Sequence, residues 1–184
     1  MASKSVKILL TGLPGCGKTT AVMQIIANLD PEKVAGFYTR EIRQNNTRKG
    51  FYWKRLDGAT GTLAHVDIKG PSRVGKYGVD VAGFEKSVVP ILDIERTDAE
   101  LFVLDEIGKM ECLSEKFVAA VRRLFAPAGN KQWSVLATVA LKGTGLISEV
   151  KNYPGTKLFN LTRQGRDKAI AEILEILSFL KRAS

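Results

Sequence analysis

One stretch near the N-terminus has the residue types and spacing of a phosphate-binding loop. It follows the pattern G-x-x-x-x-G-K-[ST] and reads Gly12-Leu13-Pro14-Gly15-Cys16-Gly17-Lys18-Thr19. Its glycines let the backbone close into a ring of inward N–H groups, and a helix beginning near Lys18 adds the positive end of its dipole. We predict a triphosphate cradle in which Lys18 contacts the β- and γ-phosphates and the Thr19 hydroxyl binds Mg²⁺.

The residues on either side give this stretch the expected structural context. An apolar β-type run, Val6-Lys7-Ile8-Leu9-Leu10-Thr11, precedes it, and apolar residues at helical spacing follow it up to Leu29. The alternative is a glycine-rich strand-to-helix turn that binds nothing. The Lys18-Thr19 pair, in register after the last glycine, favours the phosphate-binding interpretation.

An acidic pair follows a second predicted strand. The apolar run at residues 101–104 is typical of a strand buried on both faces of a parallel sheet, and Asp105 and Glu106 come directly after it. Ligands of open α/β sheets collect at the carboxyl ends of the strands. We therefore predict that Asp105 holds Mg²⁺ opposite Thr19 and that Glu106 orients, or takes a proton from, a water aimed at the γ-phosphate. An ordinary acidic strand-to-loop pair is the alternative.

We do not expect this protein to recognise guanine through the sequence motif that regulatory GTPases use. Asp105-x-x-Gly108 spells their D-x-x-G pattern, but their base-reading N-K-x-D element has no full counterpart. In the segment Asn130-Lys131-Gln132-Trp133, a tryptophan stands where the aspartate is needed.

The sequence leaves two possible roles for each of several other polar residues. Lys109 either approaches phosphate or neutralises Glu106 or Glu111, and Thr138 either senses the γ-phosphate or is an ordinary strand threonine. Three arginines are equally plausible stabilisers of phosphate charge: Arg43, Arg48 and Arg73.

Composition limits the classes of protein to consider. A chain of 184 residues suits one α/β domain, which we assign to residues 1–184. No apolar run approaches the roughly 20 residues of a membrane span, and no signal peptide is recognised, so a cytoplasmic protein is expected. Two cysteines make neither a disulfide framework nor a zinc site, and the single histidine, His65, argues against a Ser-His-Asp triad.

The net charge of +9 is spread along the chain without a basic run of five or more. A solvated basic surface that attracts nucleotides explains this pattern, and direct nucleic-acid binding is the less favoured alternative.

The order of predicted elements indicates an α/β fold with a mostly parallel central sheet flanked by helices. Strands at residues 34–43, 51–56 and 61–66 form an antiparallel β-meander in the first half, and residues 73–79 form a loop with a short extended piece. A helix at 83–92 is bent by Pro90. Strands at 101–104, 133–139 and 157–160 then alternate with a helix capped by Ser114 and with a final helix ending near Leu180.

Taken together, these stretches resemble a known family, the small nucleoside-triphosphatases first described from thermophiles and also called cancer-related nucleoside-triphosphatases. The matching segments span nearly the whole chain in order. They are residues 12–20, Gly36-Phe37-Tyr38-Thr39 with Glu41 and Arg43, Arg48 with Gly50-Phe51, Arg73-Val74-Gly75-Lys76-Tyr77, Asp105-Glu106-Ile107-Gly108-Lys109-Met110-Glu111, and residues 160–167.

The resemblance implies a RecA-like P-loop fold with an extra strand and a catalytic glutamate. It also implies slow, Mg²⁺-dependent hydrolysis of ATP, GTP and other nucleoside triphosphates. By this resemblance the nucleotide-binding residues include Thr20 and the strand end Asp105-Glu106-Ile107-Gly108. The chain departs from the family where Gly165-Arg166 replaces Asn-Arg, so Arg166 either contacts nucleotide or pairs with Asp167.

Two other functions use the same motifs. A nucleotide or small-molecule kinase needs the same loop together with an acceptor pocket and a lid, and the meander could supply the lid. A nucleotide-gated interaction module would use slow hydrolysis as a timer. The sequence indicates neither a protein partner nor a physiological substrate.

Overall fold

A computed structural model describes residues 5–127 and 131–181. Its centre is a nine-stranded sheet in the order β5-β6-β4-β3-β2-β7-β8-β1-β9. The strands are β1 (Lys7–Thr11), β2 (Val34–Gln44), β3 (Thr47–Arg55), β4 (Thr60–His65), β5 (Arg73–Val74), β6 (Tyr77–Val79), β7 (Leu101–Ile107), β8 (Ser134–Val139) and β9 (Thr156–Asn160). The helices are α1 (Lys18–Ile26), α2 (Val81–Ser87), α3 (Glu115–Phe125), α4 (Leu146–Lys151) and α5 (Arg166–Ile176).

Half of the sheet is parallel. The parallel ladder runs β2-β7-β8-β1-β9, so that β8 lies between β1, which leads into the glycine-rich loop, and β7, which ends in the acidic pair. Since the strands are parallel, their carboxyl ends meet at one edge. The loop and the acids therefore approach each other across the end of β8.

The other half is antiparallel, and this corrects the expectation of a mostly parallel sheet. Among the described strands, four pairings are parallel and four are antiparallel, so the sheet is mixed. The predicted meander is present, and residues 73–79 add a further hairpin to it. The first hairpin turns tightly at Asn45 and Asn46, whose φ angles of 48° and 57° are tolerated well by asparagine. The α/β class itself is confirmed.

Two predicted details of the helices differ from the structure. The segment predicted as one bent helix is a short helix, α2, followed by a 3₁₀ turn at Val89–Leu92, because Pro90 cannot continue an α-helix. The sequence analysis missed α4, whose six residues are too few for a helical period to stand out.

The apolar alternation of the central strands explains two cores, one on each face of the sheet. Phe102 and Leu104 of β7 pack with Phe37, α2 and α3 on one face, while Leu101 and Val103 pack with α1 and α5 on the other. The continuous apolar run at 101–104 thus serves both faces, as predicted. Within the described residues no helix is long and apolar enough to cross a membrane.

An aromatic cluster anchors the first of these cores. The Phe117 ring is fully buried and lies 6.0 Å from Phe37 and 5.4 Å from Phe84, measured between ring centroids. We predict that Phe117→Ala lowers the free energy of unfolding by about 3–5 kcal/mol in chemical denaturation, because it removes this packing and leaves a cavity. Phe179→Ala is the matched control, since that ring is 37% exposed. An equal loss in the two variants would contradict the prediction.

Candidate active site

The glycine-rich loop connects β1 to α1 and depends on its glycines. Gly15 and Gly17 adopt φ angles of 74° and 95°, in the left-handed region that glycine favours. A Cβ on Gly12 would lie 2.5 Å from the carbonyl oxygen of Leu161, so a side chain there would push the loop away from the end of β9. Gly17 is the N-cap of α1 and offers no side-chain cap, and the first turn has no acidic residue. The helix terminus is therefore suited to an anion.

Lys18 and Thr19 occupy the first turn of α1. The Lys18 Nζ donates to the carbonyl oxygens of Gly12 at 3.1 Å and of Leu13 at 3.4 Å, which holds the ammonium against the loop. Both side chains line a cavity of about 620 Å³. The cavity also brings together other predicted site residues, namely Pro14, Gly15, Gly17, Thr20, Glu106, Gly108 and Lys109.

Asp105 does not line this cavity itself, because it is buried next to Glu106 and only 1% exposed. Its Oδ1 accepts a hydrogen bond of 2.5 Å from the Thr138 hydroxyl at the end of β8, while its Oδ2 is buried and has no hydrogen-bond partner among the described residues. Thr138 therefore positions Asp105, a role that the sequence analysis did not foresee. Burial raises the pKa of Asp105, and the hydroxyls of Thr138 and Thr19 and the charges of Lys18 and Arg40 oppose this rise.

Glu106 and Glu111 converge on Gly108. A Cβ built on Gly108 would lie 3.1 Å from Oε1 of Glu106 and 2.9 Å from Oε2 of Glu111, so the two oxygens are within roughly 6 Å of each other. At this distance the charge of Glu106 contributes to raising the pKa of Glu111. Burial is the main cause that raises the pKa of both glutamates, and it brings the pKa of Glu111 to about 8. Lys18 opposes the rise at Glu106.

Glu111 is a cavity residue that the sequence analysis did not assign to the site. It is 5% exposed and lines the same cavity as Lys18 and Glu106. The sequence signal was its place in the D-E-I-G-K-M-E block, but only the 3₁₀ turn at Glu111–Leu113 brings it back to Gly108.

The structure places some predicted site residues outside the cavity. The Ile107 side chain is fully buried in the apolar core, and Leu13 and Cys16 line a separate cleft on the other side of the loop. The Arg166 guanidinium lies against Gly17, with Nη1 3.1 Å from the position of a Cβ there, and its Nε is 3.5 Å from the Asp167 carboxylate. Its position therefore fits both predicted roles, contact with a nucleotide and pairing with Asp167.

The arginines near the site differ in what they contact. Glu41 accepts ion pairs from Arg43 and Arg48, at 2.6 Å and 2.5 Å. Arg73 donates to the carbonyl oxygen of Lys76 in its own hairpin and to that of Ile68 in the preceding segment. Arg40, which was not among the candidates, lines the cavity with its side chain beside the Tyr38 ring and forms no ion pair within the described chain.

The oxygen donors of the site suit Mg²⁺. The unpartnered Oδ2 of Asp105 and the nearby Thr19 hydroxyl are the kind of ligands that this ion takes from proteins, which usually supply one or two while phosphates and waters complete the octahedron. The described residues contain no cluster of three or more His, Cys, Asp or Glu that could hold a metal ion.

Residues 7–174 match the model of a protein family described as NTPase. The chain belongs to this family. It is 39% identical to the nucleoside-triphosphatase THEP1 of Thermotoga petrophila, over 94% of this chain and 93% of that one. It is 35% identical to the human cancer-related nucleoside-triphosphatase, over 91% and 94% of the two chains.

The fold agrees with this membership. The crystal structure of THEP1 from Aquifex aeolicus superposes with a TM-score of 0.81, at 33% identity, and covers 96% of this chain and all of that one. The resemblance that the motifs indicated is thus confirmed, and with it the expectation of an enzyme.

Glu111 generates a prediction about stability and pH. The folded protein keeps a proton on Glu111 up to about pH 8, whereas the unfolded chain releases it near its ordinary pKa of 4.5. Because the unfolded state then binds fewer protons, the free energy of unfolding should fall as the pH rises from 5 to 8. Glu111→Gln carries no charge and should weaken this fall, as measured by urea unfolding at both pH values.

The control for this experiment is Glu115→Gln, which changes an exposed carboxylate at the start of α3. It should keep the pH dependence of the wild type. If Glu111→Gln also kept it, the buried proton would lie elsewhere.

Proposed function

We propose that this protein is a Mg²⁺-dependent nucleoside-triphosphatase that cleaves ATP, GTP and other nucleoside triphosphates to diphosphate and phosphate. The observation that carries the proposal is one cavity lined by Lys18, Thr19 and Glu106, together with the buried Oδ2 of the adjacent Asp105, which has no hydrogen-bond partner among the described residues. The names of the related proteins in Thermotoga and human support the same activity. The strand order β2-β7-β8-β1-β9, with β8 between the loop strand and the acidic strand, supports a RecA-like P-loop fold.

The loop would bind the triphosphate through its amides. In the proposed complex, the Lys18 ammonium moves from the Gly12 and Leu13 carbonyls to the β- and γ-phosphates, exchanging weak neutral acceptors for charged ones. Thr19 and Asp105 would hold Mg²⁺, which when bound neutralises phosphate charge as the γ-phosphoryl group leaves.

Glu106 would prepare the attacking water. Its carboxylate lines the cavity next to Gly108, and burial raises its pKa, which makes it a stronger base than an exposed glutamate. A proton passes from the water to Glu106 as the oxygen attacks the γ-phosphorus, and the diphosphate departs with the bridging oxygen.

Arg40 is the arginine best placed to stabilise the phosphates. Arg43 and Arg48 share the Glu41 carboxylate and Arg73 is bonded to its own hairpin, so each would have to give up existing contacts. Arg40 is exposed and lies close enough to lower the pKa of Asp105. It would reach a triphosphate without breaking an ion pair.

Glu106→Gln tests the proposed base. We predict that turnover falls by roughly 10²-fold or more, since a positioned base contributes about that much, while nucleotide still binds. The measurement is phosphate release from ATP and GTP with purified protein and Mg²⁺, together with nucleotide affinity. Lys18→Ala serves as the contrast, because it should weaken both affinity and rate.

Turnover that is unchanged in Glu106→Gln would reject this role. If phosphate appeared only on an added acceptor, the protein would be a kinase.

Arg40→Ala tests the choice among the arginines. We predict a loss of about 10-fold to 100-fold in kcat/KM for ATP, the range expected for a lost hydrogen bond to a charged group. The matched control is Arg73→Ala, which should stay within about twofold of the wild type. An equal loss in both variants, or none in Arg40→Ala, would contradict the assignment.

A further inference from the structure

A second cleft opens on the other side of the glycine-rich loop. Its volume is about 450 Å³, and it lies among the loops that leave the carboxyl ends of three neighbouring strands, β8, β1 and β9. Leu141 comes from the first of these loops, Leu13 from the second, and Leu161 and Arg163 from the third. Neither Glu106 nor Glu111 lines it. It is therefore distinct from the cavity that holds the proposed catalytic groups.

The lining of this cleft is apolar and exposed. Leu13 is 67% and Leu141 39% exposed, and these are two of the five large hydrophobic side chains that the described residues leave open to solvent. Leu161 lines the same cleft and is buried. Apolar side chains that converge on a concave site are typical of pockets for small organic ligands.

The cleft is continuous with the proposed triphosphate site. Pro14 and Gly15 line both the cleft and the main cavity, so the two spaces meet over the crest of the loop. With the γ-phosphate in the cavity beside Glu106, a nucleotide that extends over this crest would place its sugar and base in the cleft.

We propose that this cleft binds the nucleobase of the triphosphate substrate, with Leu13 and Leu141 contacting the ring and Arg163 stacking on it. This inference rests on the proposed function. Arg163 is exposed, has its Nη2 4.0 Å from the position of a Cβ on Gly15, and has no hydrogen bond or ion pair in the part of the chain that the structure describes. Its planar guanidinium can therefore cover an aromatic ring seated beside the loop.

The same lining explains why many bases would be accepted. No carboxylate lines the cleft to read the donors of guanine, and apolar contact and stacking do not distinguish one base from another. The polar side chains at its edge, Asn160 and Thr162, each contain both a donor and an acceptor, so they suit adenine and guanine alike. We expect affinities for the four common nucleoside triphosphates to differ by less than about tenfold.

Leu141→Asn tests the assignment, since it replaces the apolar contact with a neutral polar group of similar size. The probes are the non-hydrolysable β,γ-imido analogue of ATP and inorganic tripolyphosphate, each with Mg²⁺, in calorimetric titrations. The variant should bind the analogue at least about fivefold more weakly, while its affinity for tripolyphosphate, which has no base, stays within about twofold of the wild type.

Met23→Asn is the matched control. Met23 lies in a different cleft beside Arg40 and Arg43, which is the competing place for a base, and the variant should bind both probes as the wild type does. A selective loss of analogue affinity in Met23→Asn would move the base to that cleft and overturn the proposal.

The remaining outcomes separate the two proposals. If the wild type binds both probes and Leu141→Asn binds the analogue equally well, the base assignment is wrong and the proposed function stands. If the wild type binds the analogue no more tightly than tripolyphosphate, the base makes no contact and the assignment fails. If the wild type binds neither probe, the proposed function fails as well.

Discussion

The buried carboxylate of Asp105 is the constraint around which the candidate site is built. A carboxyl group at 1% exposure is costly to ionise, and the Thr138 hydroxyl satisfies only one of its two oxygens. The favourable charges come from elements far apart in sequence, with Lys18 on α1 and Arg40 on β2. A ligand that brings a cation to Oδ2 would remove the remaining cost. Binding of such a ligand would therefore offset the unfavourable free energy of burying the Asp105 carboxylate.

The antiparallel half of the sheet extends the site beyond the edge that the parallel strands provide. β2 pairs with β7 only as far as Tyr38 opposite Asp105, and then continues with β3 alone to Gln44. Arg40 and Glu41 therefore lie beyond the last β2–β7 pair, and both line the cavity. Glu41 pairs with both Arg43 and Arg48, which holds the positive charge of the β2–β3 hairpin beside this carboxylate.

Local patterns were enough to predict the loop, the acidic strand end and the meander, because each depends on residues adjacent in sequence. The G-x-x-x-x-G-K-[ST] spacing located Lys18 and Thr19, and the apolar run at 101–104 located Asp105 and Glu106. The hydrogen bond from Thr138 to Asp105 could not be predicted, because it depends on β8 lying beside β7. The burial of Glu111 and the lack of an ion pair at Arg40 among the described residues likewise depend on distant elements. Composition and periodicity do not reveal such contacts.

The position of Glu106 links the charge of the substrate to the chemistry proposed for it. In the structure, Lys18 is the group that lowers the pKa of Glu106, while burial and Asp105 raise it. A bound triphosphate would draw the Lys18 ammonium into its own contacts and add negative charge beside Glu106. Both changes raise the pKa of a carboxylate, whereas the Mg²⁺ that Thr19 and Asp105 would hold lowers it. The strength of Glu106 as a base would therefore be set by the balance between the charge of the triphosphate and that of the ion that accompanies it.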